Sequence, residues 1–307
     1  MRFYQASFVL DSVSASTPTF ALIIPTHNAG ELWRSVLESI TQQASQPQQL
    51  LIIDSESSDQ TLEIAHSFGF ATHSIPQQSF NHALTRQYAI EQLSAEIEYV
   101  VFMTQDVILQ TPQALTELLA AFDNDSIGFA FGRQIAHIGA SAIEQHARQF
   151  NYPEHSYQRS WQQRDQYGIK TVFCSNAFSA IRLSAFHQVQ GFDQSLPGSE
   201  DTYICAKLLK NGWQLAYQAD AIAHHSHSYS CLQEMQRYIK IGQFHGQQDW
   251  ILKELGRAEG EGLKFVKSEI KYLWQHQKLA IPHAALRTLL KWIGFRYGAW
   301  QESRSKK

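Results

Sequence analysis

The 307-residue sequence contains no apolar run approaching the roughly 18 residues that a membrane-spanning helix needs. Its three cysteines, Cys174, Cys205 and Cys231, are too few and too widely spaced for a disulfide framework or a Cys-x-x-Cys metal site. Residues 1–20 have neither the continuous apolar core nor the small-residue cleavage site of a signal peptide. We therefore expect a soluble or peripheral protein that works in the reducing cytoplasm.

The sequence also has no excess of positive charge. Lysine and arginine number 25 against 28 acidic residues, giving a formal net charge of −3. This balance argues against nucleic acid as a partner, because such proteins need a basic surface. With 44% hydrophobic and 17% charged residues, the chain is expected to fold as one large domain, or as one domain with an appendage.

The phosphate-binding loops of common nucleotide-binding proteins are absent. Neither G-x-G-x-x-G nor G-x-x-x-x-G-K-[ST] occurs, so the sequence supports neither a Rossmann dinucleotide site nor a P-loop. If the protein binds a diphosphate, it must hold it in another way, and a divalent metal on a carboxylate is the obvious candidate.

What the first half does contain is a regular alternation of strand and helix patterns. Short apolar runs at 20–25, 49–54, 71–75 and 99–103 predict strands, and helical periodicity lies between them at 32–40, 62–68 and 81–93. Crossovers of this length predict a parallel α/β sheet. The run at 99–103 ends in Thr104-Gln105-Asp106, at the strand end where such sheets bind ligands. The alternative is that Asp106 only caps the following turn.

The second half is less regular. We predict a helix over 112–122, strands over 127–132 and 171–174, and a polar surface or binding loop over 133–170. Ser199 is a plausible cap for a helix with Glu200 and Asp201 in its first turn, where acids also simply stabilise the helix dipole.

Two short strand-like pieces, at 214–218 and 221–223, lead to the histidines His224, His225 and His227. Clustered histidines after a strand can bind a metal, but they also occur by chance in solvated loops.

From Cys231 onward the pattern is helical, so we predict a domain over 1–230 and a helical C-terminal extension over 231–307. Between Arg287 and Lys307 there are six basic residues and one acidic residue, interspersed with Leu289, Trp292 and Trp300. This pattern is similar to that of an interfacial amphipathic helix that associates with a membrane, although an ordinary packed helix fits as well.

Taken in order, these motifs resemble a known family, the family 2 inverting glycosyltransferases of the GT-A fold. The resemblance rests on Ile24-Pro25-Thr26-His27-Asn28, Ile53-Asp54 with Ser57-Ser58-Asp59, Arg86, Thr104-Gln105-Asp106, Glu200-Asp201 and His225. Further segments resemble bacterial rhamnosyltransferases of O-antigen and exopolysaccharide synthesis: Phe80-Asn81-His82, Phe150-Asn151-Tyr152-Pro153-Glu154, Ser175-Asn176, His225-Ser226-His227-Ser228-Tyr229, Gly242-Gln243-Phe244-His245 and Gly294-Phe295-Arg296-Tyr297-Gly298.

The resemblance implies an α/β fold with a central, mostly parallel sheet flanked by helices, and it implies roles for individual residues. Asp201 would be the general base, with Glu200 beside it, and Asn176 and Arg148 would contact the acceptor. Asp106, His225 and His227 would hold Mg2+ or Mn2+, although Thr104 stands where the family's D-x-D motif has its first aspartate. The donor nucleotide would be bound by Pro25, Thr26, Asn28, Asp54, Ser57, Arg86, Gln105 and Asp106.

The implied reaction is transfer of L-rhamnose from dTDP-L-rhamnose to a hydroxyl of a glycan or lipid-linked saccharide. The implied place is the inner face of the cytoplasmic membrane, with peripheral membrane contact. Two alternatives remain from the sequence: a nucleotidyltransferase, and an inactive scaffold of the same fold that binds a nucleotide sugar or glycan.

Overall fold

A computed structural model describes residues 18–256 and 259–305 of the chain. The strands of this part are β1 Phe20–Thr26, β2 Gln49–Asp54, β3 Thr72–Ser74, β4 Tyr99–Met103, β5 Ile108–Leu109, β6 Ile127–Ile135, β7 Tyr157–Arg159, β8 Phe178–Arg182 and β9 Gln214–His224. The helices are α1 Trp33–Thr41, α2 Thr61–Ser67, α3 His82–Glu91, α4 Ala114–Leu119, α5 Ala142–Asn151, α6 Arg164–Tyr167, α7 Leu183–Gln188, α8 Glu200–Lys210, α9 Cys231–Gln247, α10 Asp249–Leu255, α11 Glu259–His276 and α12 Ile281–Ser305.

The strands form one mixed sheet in the order β3-β2-β1-β4-β8-β6-β9-β5, with β7 paired to β9. The pairs among β1, β2, β3 and β4 are parallel, which confirms the alternation predicted for the first half. Strand β8 is antiparallel to both β4 and β6, whereas β6 and β9 are parallel. The predicted α/β class is therefore confirmed. Since β5 and β7 are also antiparallel to β9, the sheet is mixed rather than mostly parallel as expected.

The central strands are buried on both faces. Along β1, Ala21 and Ile23 pack into one apolar cluster, and Phe20, Leu22 and Ile24 pack into the cluster on the other side. This is why their sequences are continuous apolar runs rather than alternating patterns. Burial on both faces leaves the carboxyl ends of β1, β2 and β4 as the edge where polar residues gather.

Two predictions for the second half are wrong. Residues 171–174 are not a strand, because Gly168–Val172 is a 3-10 helix whose Thr171 and Val172 side chains are buried. The strand at this point is β8, and its sequence Phe-Ser-Ala-Ile-Arg carries a weaker apolar signal. Residues 133–170 are not a continuous loop either, since they contain the end of β6, helix α5 and β7. A Ser141–Glu144 capping box starts α5, a sequence signal for a helix.

The two strand-like pieces near residue 220 are one strand, β9, with an irregular register against β6. Ser199 does precede α8 as predicted, but it has a φ of 59° and its side chain makes no capping hydrogen bond. Instead, the Asp201 carboxylate in the first turn of α8 accepts a hydrogen bond from the next residue, with the Thr202 N–H donating to Oδ1 at 2.7 Å.

The predicted helical character beyond Cys231 is confirmed, and α9 and α12 in this region are in close contact through glycines. A Cβ placed on Gly298 would lie 2.0 Å from the Ile239 carbonyl oxygen, and one on Gly294 would lie 2.6 Å from that of Met235. The helices are thus parallel and nearly touch along their backbones. No helix among the described residues is long and apolar enough to cross a membrane.

Candidate active site

The predicted nucleotide-binding residues meet at the carboxyl ends of β1 and β2. Asp54 ends β2 and is fully buried, where its Oδ1 accepts hydrogen bonds from the Thr26 hydroxyl at 2.9 Å and the Ser57 hydroxyl at 2.5 Å. Its Oδ2 accepts from the Ser57 N–H at 2.9 Å. The Asp54 carboxylate therefore holds the two loops that follow β1 and β2 together.

Asn28 and Gln105 complete this network. Asn28 adopts a φ of 45°, and its Oδ1 accepts from the Ser58 N–H at 2.8 Å, while its own N–H donates to the Ser57 hydroxyl at 2.8 Å. Gln105 brackets the backbone of His27, since Oε1 accepts from the His27 N–H at 2.7 Å and Nε2 donates to its carbonyl at 3.1 Å. The loop after β4 is thereby fixed to the loop after β1, close to buried Pro25.

Asp106, His225 and His227 form a cluster whose potential ligand atoms all lie within 4.8 Å of one another. Asp106 Oδ2 lies 3.4 Å from His225 Nε2 and 3.2 Å from His227 Nδ1. Burial alone would raise the pKa of Asp106, but the neighbouring His225 and His227, whose protonated forms favour the ionised carboxylate, and a hydrogen bond from Thr104 hold the pKa well below its usual range. Burial lowers the pKa of His227 to about 3. The cluster therefore offers an ionised carboxylate and neutral imidazoles at neutral pH.

Hydrogen bonds behind the cluster orient these ligands. Arg148 donates from Nη1 to Gln134 Oε1 at 2.9 Å, which fixes this atom as the amide oxygen. His225 Nδ1 lies 2.8 Å from the same oxygen and must carry the proton. The lone pair of His225 Nε2 then faces Asp106, and this buried nitrogen has no hydrogen-bond partner. A buried imidazole lone pair beside a carboxylate fits a divalent cation.

Thr104 contributes to the same arrangement. Its hydroxyl donates to Asp106 Oδ1 at 2.7 Å, which leaves Oδ2 directed at the two histidines. His137 supports the loop from the other side, with Nε2 lying 3.0 Å from the Asp106 carbonyl oxygen. Sequence reasoning missed Gln134 and His137, since they lie in the stretch predicted as a polar loop. Strand β6 continues to Ile135, so Gln134 lies on this strand beyond the apolar run that ends at Gly132.

Asp201 and Glu200 lie at the start of α8 in different surroundings. Glu200 is 6% exposed; its Oε1 accepts from Arg86 Nη1 at 2.9 Å and from the Asn176 amide at 3.2 Å. Asp201 is half-buried, and its Oδ2 lies 3.4 Å from the Asn176 N–H. Burial, followed by the negative charge of Glu200, raises the pKa of Asp201 to about 6. A carboxylate with such a pKa suits a general base near neutral pH.

Arg86 forms a buried ion pair with Glu200. Its side chain is 2% exposed, it donates to the His82 carbonyl at 3.2 Å as well as to Glu200, and it lies over the ring of Phe102. The Asn176 side chain is similarly enclosed, between Glu200 and the Ser179 hydroxyl at 2.9 Å. Both side chains thus tie the start of α8 to α3 and β8.

Residues 175–177, which precede β8, lie next to both Asp201 and the loop that carries Asp106. The Thr104 N–H donates to the Ala177 carbonyl at 3.1 Å, and the neighbouring Asn176 N–H points to Asp201. Asp106 follows Thr104 by two residues, so the loop that carries Asp106 and the start of α8 both contact residues 176–177. By contrast, a cavity of about 550 Å3 at the amino end of β4, between Glu98 and Arg182, touches none of the predicted site residues.

Comparison with known proteins identifies the family of this chain. Residues 21–190 match the model of the family described as glycosyl transferase family 2. The chain is 40% identical to the O-antigen chain rhamnosyltransferase RfbN of Salmonella typhimurium over 282 residues, covering 91% of this chain and 90% of that protein. It is also 40% identical to the O-antigen chain rhamnosyltransferase WbaN of Salmonella anatum, covering 92% and 90%.

Solved structures agree on the fold. The mannosyltransferase PcManGT from Pyrobaculum calidifontis, solved with GDP-Man and Mn2+, has a TM-score of 0.63 at 14% identity and covers 95% of this chain and 89% of its own. TarS of S. aureus, residues 1–349 with UDP-GlcNAc, has a TM-score of 0.54 at 15% identity, covering 94% and 92%. The chain belongs to glycosyl transferase family 2, and it is an inverting glycosyltransferase of the GT-A fold.

Proposed function

We propose that this enzyme transfers L-rhamnose from dTDP-L-rhamnose to a hydroxyl of a glycan or lipid-linked saccharide. The observation that carries the reaction is that Asp201 and the loop of Asp106 both contact residues 176–177, while Asp106 forms a cluster with His225 and His227. The names of the two Salmonella relatives support the donor sugar and the O-antigen type of acceptor.

Asp201 is proposed as the general base. Its raised pKa keeps it a competent proton acceptor at neutral pH, and the acceptor hydroxyl transfers its proton to this carboxylate as the oxygen attacks the anomeric carbon. The bond from that carbon to the diphosphate breaks in the same displacement, which inverts the configuration. Glu200, held by Arg86 and Asn176, positions the start of α8 and keeps the pKa of Asp201 raised.

Asp106, His225 and His227 would hold Mg2+ or Mn2+, whose charge would stabilise the departing diphosphate. On the nucleotide side, we assign Pro25, Thr26, Asn28, Ser57 and Gln105 to the base and ribose pocket. Asp54 is proposed to serve the same pocket, and the hydrogen bonds that it accepts from Thr26 and Ser57 fix the shape of these loops.

We further propose peripheral contact with the inner face of the cytoplasmic membrane through the C-terminal region, residues 231–307. Large apolar side chains are exposed along α12, among them Leu289 at 52%, Trp292 at 61% and Trp300 at 47%. Arg296 is exposed on the same helix. Exposed tryptophans beside basic residues are typical of helices that lie on anionic membranes.

The test is an assay of the purified protein with a panel of nucleotide sugars at saturating Mn2+. We expect dTDP-L-rhamnose to be consumed with release of dTDP, and Asp201→Asn to abolish transfer while donor binding persists. Release of pyrophosphate would indicate a nucleotidyltransferase instead. If the donor binds but is neither transferred nor slowly hydrolysed, the protein is an inactive scaffold.

A further inference from the structure

A cleft of about 340 Å3 lies between the end of β6 and helix α5. This volume is within the range of small-molecule sites. The cleft includes Tyr152 and Glu154, part of a segment that none of the roles above employs. Its polar lining residues include Arg133, Gln134, His137, Arg148, Gln149 and Glu154.

The cleft reaches both parts of the active site. On one wall, Gln134 contacts the metal ligand His225, and His137 contacts the backbone of Asp106. At the other end is Tyr152, which is 4% exposed and close enough to Ser175 and Asp201 for both to affect its pKa, although burial is the main cause that raises it. The cleft is therefore lined both by residues that contact the metal-ligand cluster and by a residue close to the proposed base.

The chemistry of the lining suits a ligand rich in hydroxyl groups. Arg133 Nη2 donates to Glu154 Oε1 at 2.7 Å, and Glu154 is otherwise exposed, with 84% of its side chain accessible. Gln149 on α5 is exposed and carries both a donor and an acceptor. Guanidinium, carboxylate and carboxamide groups together can pair with the adjacent hydroxyls of a sugar ring, each of which both donates and accepts.

We propose that this cleft binds the acceptor, and that Arg133, Gln149 and Glu154 hold the hexopyranose ring that receives the new sugar. The inference rests on the proposed function, because it takes Asp201 as the base and the metal-ligand cluster as the donor side. It adds an acceptor site made of β6 and α5, separate from the loops after β1 and β2 that serve the nucleotide.

The experiment compares acceptor and donor parameters in variants of the full chain. Octyl glycosides of the common hexopyranoses are tested as acceptors with dTDP-L-rhamnose, and the best is used to measure KM and kcat for Arg133→Gln, Gln149→Ala and Glu154→Gln. Arg34→Gln on the exposed side of α1 and Gln42→Ala at its exposed C-terminal end are the matched controls. Donor affinity is measured separately by titration, and thermal unfolding reports whether each variant is folded.

We expect the acceptor KM to rise about tenfold or more in Arg133→Gln, the effect of losing a hydrogen bond to a charged group, with a smaller rise in Gln149→Ala. The dissociation constant of dTDP-L-rhamnose should stay within about twofold of the wild-type value, and both controls should match the wild type. Since Gln149 is exposed on a helix, its variant folds even if an Arg133 variant does not.

Two outcomes would overturn the inference. Acceptor KM values unchanged in Gln149→Ala and Glu154→Gln would remove the acceptor from this cleft, while transfer by the wild type would leave the proposed function intact. Failure of every hexopyranoside as an acceptor, with donor binding and slow donor hydrolysis retained, would show that the ring is not the recognised group. If the wild type does not bind dTDP-L-rhamnose, the proposed function itself is refuted.

Discussion

The pH dependence of transfer offers a direct test of Asp201, and Glu200→Gln is the informative change. Burial and the Glu200 charge raise the pKa of Asp201 to about 6. A base acts only when unprotonated, so transfer should be full above this pH and fall on its acid side. At pH 5, about a tenth of the maximal kcat/KM should remain, because one Asp201 in eleven or so is then ionised.

Glu200→Gln removes the negative charge next to Asp201, and it also leaves the positive charge of Arg86 without its partner. Both changes favour the ionised form of Asp201, so its pKa should fall, although burial, the larger cause of the raised pKa, remains. The acid limb should therefore move to lower pH, and at pH 5 the variant should keep a larger fraction of its own maximal kcat/KM than the wild type does.

The assay is kcat/KM for dTDP-sugar consumption between pH 4.5 and 8 at saturating Mn2+. Asp106 and His227 do not titrate in this range, since the pKa of Asp106 is lowered well below it and that of His227 is about 3. Removing one partner of a buried ion pair costs about 3–5 kcal/mol of stability, so circular dichroism at each pH must show a folded variant. Glu117→Gln, an exposed carboxylate on α4, is the control.

An acid limb that stays at pH 6 in Glu200→Gln would refute the account of Glu200 as the charge that raises the pKa of Asp201. A wild-type profile that stays flat from pH 5 to 8 would contradict Asp201 as the titrating base.

Three further predictions concern other parts of the chain. Gln134→Leu should weaken Mn2+ binding about 10–100-fold, measured by electron paramagnetic resonance of free Mn2+, because the His225 imidazole loses the partner that orients it. Gly298→Ala should lower the free energy of unfolding by about 1–3 kcal/mol or more in urea denaturation, since its Cβ would meet the Ile239 carbonyl. Trp292→Glu combined with Trp300→Glu should reduce co-sedimentation with anionic liposomes.

Each of these three predictions has a control variant or a result that would contradict it. A Gln134 variant with unchanged Mn2+ affinity would remove its positioning role. Gly262→Ala on α11 has open space around its Cβ and should be neutral or stabilising by about 0.5–1 kcal/mol, so equal effects at Gly298 and Gly262 would deny the close α9–α12 contact. Tyr88→Glu, on the exposed side of α3, should leave pelleting unchanged, and equal pelleting of the tryptophan variant would exclude α12 as the membrane contact.

The first half could be predicted because its local signals agree with its tertiary role. Strands buried on both faces have continuous apolar runs, and a polar residue at the ligand edge ends the strand or follows it closely, as Asp54 and Asp106 do. In the second half the local signals no longer match the tertiary structure. Thr171 and Val172 are buried in a 3-10 helix that ends before Phe173, and periodicity alone cannot distinguish such a short apolar run from a strand. Strand β8 is short and contains Ser179 and Ala180, so its insertion between β4 and β6 leaves little trace in the sequence.

The side-chain contacts within the site could not be predicted for another reason: they depend on distances between segments far apart in the chain. Arg86 meets Glu200 across 114 positions, and Gln134 meets His225 across 91. The family resemblance supplies the residue types but not these pairs. Whether Arg86 faces a ligand or a buried acid is decided by the packing of α3 on α8, which no local pattern encodes.

The departure at Thr104 is consistent with an active enzyme once the geometry is considered. A second aspartate here would add negative charge next to Asp106 and require two buried carboxylates to share one cation. Thr104 instead donates to Asp106 Oδ1 and directs Oδ2 toward His225 and His227, which supply two neutral ligands. With neutral histidines, the cluster would carry one negative charge and leave more of the charge of a bound divalent cation available to the donor diphosphate. We therefore expect the substitution to change the charge balance of the site while keeping three potential metal ligands together.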